Sequence, residues 1–122
     1  MALRHETLVA WQRADDLFIQ LHKVSMCSLP PMERFELGSQ LRRAAFSVPA
    51  NIVEGCARMH TRERLQFLNT ARGSLTEVGY CLHAAHRLGY LDDTTFADLS
   101  LAVRRTGAAL TGFIRTVRDD TT

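Results

Sequence analysis

The chain has 122 residues, 46% of them hydrophobic and 23% charged, with a formal net charge of +2. This length fits a single domain spanning 1–122 and can bury a core without metals or disulfides to hold it. The composition excludes a disordered or collagen-like chain, and the longest apolar runs, such as Leu8-Val9-Ala10-Trp11, fall far short of the ~20 residues of a membrane span.

Strand signals are few, and helical periodicity recurs four times. The first segment covers about 6–27, with Ala10, Ala14, Leu17, Leu21 and Val24 on one face and Trp11 and Phe18 widening it. Leu29-Pro30-Pro31 stops it, because proline disfavours the helical conformation of the residue before it. The second segment covers about 33–58, with a core stripe of Leu37, Leu41, Ala44, Val48 and Ile52. Pro49 removes one backbone donor inside it, yet the stripe stays in phase, so the spacing predicts one kinked helix rather than two.

The third segment opens at Thr61, an expected N-cap, with Glu63 in the first turn. Leu68, Ala71, Leu75, Val78, Leu82 and Ala85 then form a heptad seam, which Leu88-Gly89 stops. The fourth follows Asp92-Asp93, with Phe96, Leu99, Val103, Thr106, Leu110, Phe113 and Val117 on its seam and a frayed tail at Asp119–Thr122. Four such helices joined by short breaks predict an all-α, antiparallel up-down-up-down four-helix bundle. Gly73, Gly79, Gly107 and Gly112 fall inside predicted helices, where close helix approach would compensate their cost, above all near Gly73.

No motif carries catalysis. A di-iron bundle needs Glu-x-x-His on two helices, and no Glu here has His three positions later. His83 and His86 lack a carboxylate pair, and neither GxGxxG, a P-loop nor HExxH occurs. Cys27, Cys56 and Cys81 are an odd number without CxxC spacing, which points to reduced, mostly buried thiols. We therefore expect no enzyme, no metal and no cofactor. With no apolar signal region near Arg4, His5 and Glu6, the chain reads as cytoplasmic.

The charge is uneven. Fourteen of the fifteen basic residues are Arg, and the middle third, 34–72, carries seven Arg against three Glu. Arg58, His60, Arg62, Arg64 and Arg72 form the densest group, and Arg42, Arg58, Arg62, Arg64 and Arg72 are the candidate nucleic-acid contacts. Two readings fit: phosphate contacts that steer a polyanion, or a solvated helix corner.

On a helical wheel the second helix shows a polar stripe of Gln40, Arg43, Ser47, Asn51, Glu54 and Arg58, roughly opposite its core face, with Phe46, Val53 and Ala57 between them. The stripe and this second apolar strip fit either scattered exposed side chains or a subunit interface anchored by Phe46 and Val53, the reading we favour. Arg43 and Glu54 are too far apart to meet, and Ser74 and Glu77 on the third helix offer partners, Arg43–Glu77 in particular.

The run Gln40-Leu41-Arg42-Arg43-Ala44-Ala45-Phe46-Ser47-Val48-Pro49-Ala50-Asn51-Ile52-Val53-Glu54-Gly55 resembles the signature of the four-helix-bundle proteins encoded in intervening sequences of bacterial 23S ribosomal RNA genes. Leu8–Ala14, Ala71–Glu77 and Leu88–Leu91 resemble other motifs of that family, so nearly the whole chain is covered. The resemblance implies an all-α bundle and a ring-like homopentamer. It also implies structural roles, in register between helices or subunits, for Gln40, Arg43, Ser47, Asn51, Glu54, Ser74 and Glu77. One branch, the accessory variability determinant of diversity-generating retroelements, binds a reverse transcriptase and nucleic acid through a basic surface. RNA, DNA and a reverse transcriptase are accordingly the partners to expect. The pairs Asp15-Asp16, Asp92-Asp93 and Asp119-Asp120 oppose polyanion binding.

Overall fold

A computed structural model describes residues 3–120. A single 3₁₀ turn, His5–Thr7, precedes helix α1, Val9–Cys27. A second, Pro31–Arg34, precedes α2, Leu37–Ala57; α3 is Thr61–Arg87 and α4 is Asp93–Asp119. Among the described residues there is no strand. Each helix packs on its neighbours in the chain, and α1 closes against α4, giving the antiparallel four-helix bundle.

The helical stripes supply the core. Leu21, Leu41, Ile52, Leu68, Leu82 and Leu110 are fully buried, one or more from every helix. Each such side chain contributes about 1.5–3 kcal/mol by leaving water. All six residues of the α3 heptad seam are buried, whereas Val24, Leu37, Phe96, Val103 and Phe113 are partly buried at the edge of the core. α2 runs unbroken through Pro49, which is itself buried.

The helix starts depart from the expected ones for local reasons. Leu8 is extended and has no capping side chain, so residues 6–8 turn apart from α1. Pro31 opens a tight turn, and the unusual backbone of Glu36 delays α2 to Leu37. Thr61 is the first helical residue of α3 rather than its N-cap. His60 is the extended N-cap residue instead, and its carbonyl accepts the first helical bond, from Arg64 N at 3.0 Å. α4 continues to Asp119, and Asp120 N still reaches Thr116 O; Thr121 and Thr122 lie outside the described residues.

The α3–α4 connection is specified most tightly. Gly89 has φ +82°, Tyr90 N reaches Ala85 O and Gly89 N reaches His86 O, which makes a Schellman stop. Asp92 then accepts from Thr95 N at 2.7 Å, and that bond holds its carboxyl below the usual range. His86 at the end of α3 meets Asp93 at 2.8 Å and stacks on Phe96, so the two helix ends are joined by side chains as well.

The expected close approach at Gly73 is absent. A Cβ built on Gly73, Gly79 or Gly112 meets nothing within 4 Å, and on Gly107 it makes ordinary contact with Leu75. Close approach occurs instead on α2. A Cβ on Gly38 would lie 3.0 Å from Glu33 O, and one on Gly55 would lie 3.2 Å from Arg64 O and 3.3 Å from Leu68.

Gly73→Ala should therefore stabilise the fold by about 0.5–1 kcal/mol, and Gly55→Ala should destabilise it by about 1–3 kcal/mol, read from urea unfolding. The Asp92 cap has a pH signature. Its folded pKa is depressed, so its contribution is present above the ordinary carboxylate range of about pH 4 and lost as pH falls through the folded value. The difference in melting temperature between wild type and Asp92→Ala should be present at pH 7 and vanish in acid.

Candidate nucleic-acid interface and subunit face

The polar stripe of α2 does not lie opposite the core. It runs along the seam with α3, because in a bundle each helix touches two neighbours and its protected arc is wide. Ser47 Oγ and Ser74 Oγ are 2.7 Å apart, and Asn51 Nδ2 donates to Ser47 O and Ser47 Oγ at 2.8 and 2.9 Å. These three side chains are half-buried between the helices. Arg43 donates to Glu77 at 3.0 Å and also contacts Gln40. Glu54 pairs within its own helix with Arg58, at 3.2 Å. The stripe thus finds its partners inside one chain.

Beside the seam, Cys81 on α3 is buried, and burial pushes its thiol pKa up, with Glu77 adding to the shift. Cys56 is likewise buried and raised, with Arg64 opposing. Cys27, at the end of α1, is exposed, unlike the other two.

Outward from the stripe lies the apolar strip. Phe46 is 58% exposed although its ring sits edge-on to Phe18 of α1 at 5.6 Å. Val53 is half-buried and Ala57 exposed along the same side. On α3, Tyr80 is also largely exposed.

The basic residues divide into two sets. Arg58, Arg62 and Arg64 stand at the corner where α2 turns into α3, and Arg72 follows along α3. Arg58 lies over the Phe67 ring, 4.7 Å from its centroid, while Glu54 holds its end. Arg64 Nε donates to Arg58 O at 2.8 Å, which braces the corner. Arg62 is exposed and makes no hydrogen bond or ion pair among the described residues. Arg72 is exposed and donates to Asn69 Oδ1 of its own helix at 2.9 Å. The aromatic Phe67 therefore serves as a platform for Arg58 rather than for a base.

Arg42 is not part of this group. It lies roughly 24 Å from Arg58 along α2, at 1.5 Å per residue. Its guanidinium turns inward to Ser25 Oγ at 3.1 Å and Arg34 O at 2.8 Å, pinning the α1–α2 connection. Buried Ser25 gave the only sequence hint of that clamp, as a polar residue one position past the α1 core stripe.

Among the described residues no three His, Cys, Asp or Glu side chains converge as a metal site would require. No helix among them is long and apolar enough to cross a membrane.

The sequence profile described as 23S rRNA-intervening sequence protein matches residues 6–112. The chain belongs to that family. The fold agrees with that of a crystal structure of a protein of unknown function from the S23 ribosomal protein family of Bacteroides thetaiotaomicron. The two superpose with a TM-score of 0.81 at 18% identity, over 87% of this chain and 98% of that one. None of the curated proteins matches. Within the matched region, Arg43, Ser47 and Asn51 of α2 and Ser74 and Glu77 of α3 occupy the helix–helix seam.

The Arg43–Glu77 pair is exposed, so its coupling should be small. A double-mutant cycle with Arg43→Ala and Glu77→Ala should give less than about 1 kcal/mol. Ser47→Val should cost more than either exposed substitution, because it leaves Ser74 and Asn51 half-buried without their shared partner.

Proposed function

We propose that this chain is a non-enzymatic homo-oligomer, a ring of five copies, that binds RNA or DNA through phosphates. The observation that carries the reading is the α2–α3 corner. Arg58 and Arg64 are held in place there, and Arg62 and Arg72 point to solvent with little to engage them. Arginine suits phosphate by its planar fork of donors. Contacts of this kind position a nucleic acid without reading its sequence.

Oligomerisation gives the corner its strength. One chain carries only +2, and five copies on one ring multiply both the charge and the number of phosphate contacts. The strip headed by Phe46 and Val53 supports a subunit face, since a 58% exposed Phe is rarely left to water beside other apolar residues. Because the polar stripe is satisfied within the chain, the face rests on this strip alone.

The test is solution mass by light scattering, with and without a short structured RNA, at low and high salt. We expect five chains, and RNA binding that weakens steeply as salt rises. The double variant Arg62→Glu, Arg72→Glu should bind at least tenfold more weakly and show a salt slope shallower by about 1–2 for each corner the RNA engages. Phe46→Asp should weaken the ring, so that the mass falls below five chains at low concentration. Unchanged RNA affinity in the double variant would overturn the assignment of the corner. An oligomer that ignores RNA would make the chain a protein scaffold, with a reverse transcriptase the first partner to try.

A further inference from the structure

Two features of the bundle are unused by the reading above. The first is a knob. Met32 and Phe35, on the connection between α1 and α2, are 83% and 81% exposed, more than any other large apolar side chain described. The connection that carries them is firmly held. Arg34 O accepts from Arg42, Leu29 is buried in the core, and the neighbouring Glu33 carboxylate pushes the Tyr90 phenol's pKa up. Two prolines, Pro30 and Pro31, stiffen its start. A rigid apolar knob loses little entropy when it docks.

The second feature is a groove of about 500 Å³ between α1 and α4. Leu17, Leu99 and Ala102 line its apolar part, and half-open Leu101 forms a lip. Charges of both signs surround it: Arg13 and Arg105, Asp16 and Asp98. None of the four forms an ion pair among the described residues, and Arg13 donates only to the backbone oxygen of Arg105, at 3.2 Å.

We propose that the knob of one copy seats in the α1–α4 groove of a second copy. The occupant follows from three observations. The groove lies within the size range that seats side chains or small ligands. Phe35 is flanked by exposed Glu36 and half-buried Arg34, and the groove rim carries Arg13 and Arg105 to meet the first and Asp16 and Asp98 to meet the second. The knob cannot reach its own groove. Leu17 lies roughly 15 Å down α1 from Cys27, at 1.5 Å per residue, and the connection is pinned to α2 by Arg42.

The contact is head-to-tail, so each copy offers its knob to one neighbour and its groove to another. It repeats around a closed ring or along a filament, as heterologous interfaces do. It uses neither the Phe46 strip nor the basic corner, so it stands whether or not the nucleic-acid reading does.

The experiment uses two variants in a Phe46→Asp background, which removes the other proposed subunit contact. The knob variant is Met32→Ser with Phe35→Ser; both side chains are already exposed, so the fold should survive. The groove variant is Ala102→Trp, and should that chain fail to fold, Leu101→Glu at the exposed lip replaces it. Sedimentation velocity across a concentration series reads the association. The Phe46→Asp chain alone should associate as concentration rises. Each variant should associate at least tenfold more weakly. An equimolar mixture of the two should regain a species of two chains and no larger, because each copy keeps one half of the contact. Association of either variant equal to that of the Phe46→Asp chain, or a mixture that stays unassociated, would overturn the proposal. A Phe46→Asp chain that never associates would overturn it too. Wild-type RNA binding is untouched by these outcomes, and Phe46→Asp leaving the wild-type mass unchanged would count against the Phe46 face alone.

Discussion

The close approach of α2 and α3 at Gly55 sets the geometry of the basic corner. Without a side chain at Gly55, the Arg64 carbonyl and the Leu68 side chain come to within 3.3 Å of where a Cβ would stand. That contact keeps the turn between the helices short, puts Arg64 beside Arg58, and lets Arg64 Nε reach the Arg58 carbonyl. It also brings Phe67 under the Arg58 guanidinium. A wider separation would leave three arginines on a loose loop. As built, two of them are braced by the backbone and by an aromatic ring, and the third projects.

The same seam explains the polar stripe. Two helices that touch this closely expose a narrow band of side chains on either side of the contact line. Apolar residues there would be half-wet, and unpartnered polar ones would lose water without return. Ser47 resolves this by bonding to Ser74 across the seam and accepting from Asn51 within α2. Further out, where water reaches freely, the exposed Arg43–Glu77 pair replaces them and contributes less to stability. Burial thus grades the stripe from hydrogen-bond network to surface ion pair. Arg43, Ser47 and Asn51 on α2, with Ser74 and Glu77 on α3, hold the two helices in register.

The two ends of the bundle differ in chemistry. One carries the α2–α3 corner with its arginines; the other carries the α1–α2 connection with Met32 and Phe35, fixed by Arg42 from within. Arg42 and Arg43 are adjacent in sequence, yet one turns towards α1 and the other towards α3. A rotation of 100° per residue sends neighbouring arginines to different helices. The cluster of basic residues in the middle third of the chain is therefore split by the fold into a surface corner and an internal clamp.

The sequence by itself determined the four helices, their order and their antiparallel packing, because a 3.5-residue apolar period can be buried in few ways and short connections leave one topology. It also specified the Gly89 stop and the Asp92 cap, where a backbone demand is met by a nearby side chain, and it brought Arg43 towards Glu77. Where helices begin was less legible at Leu8, Glu36 and His60, which offer no capping side chain. The roles of the glycines were out of reach: Gly73 and Gly55 look alike in sequence, and only packing shows that the first faces open space and the second a carbonyl. The inward turn of Arg42, the platform under Arg58 and the α1–α4 groove were decided by tertiary structure alone. Each depends on atoms far apart in the chain, whose meeting is fixed by the rotation and offset of whole helices and not by any local pattern.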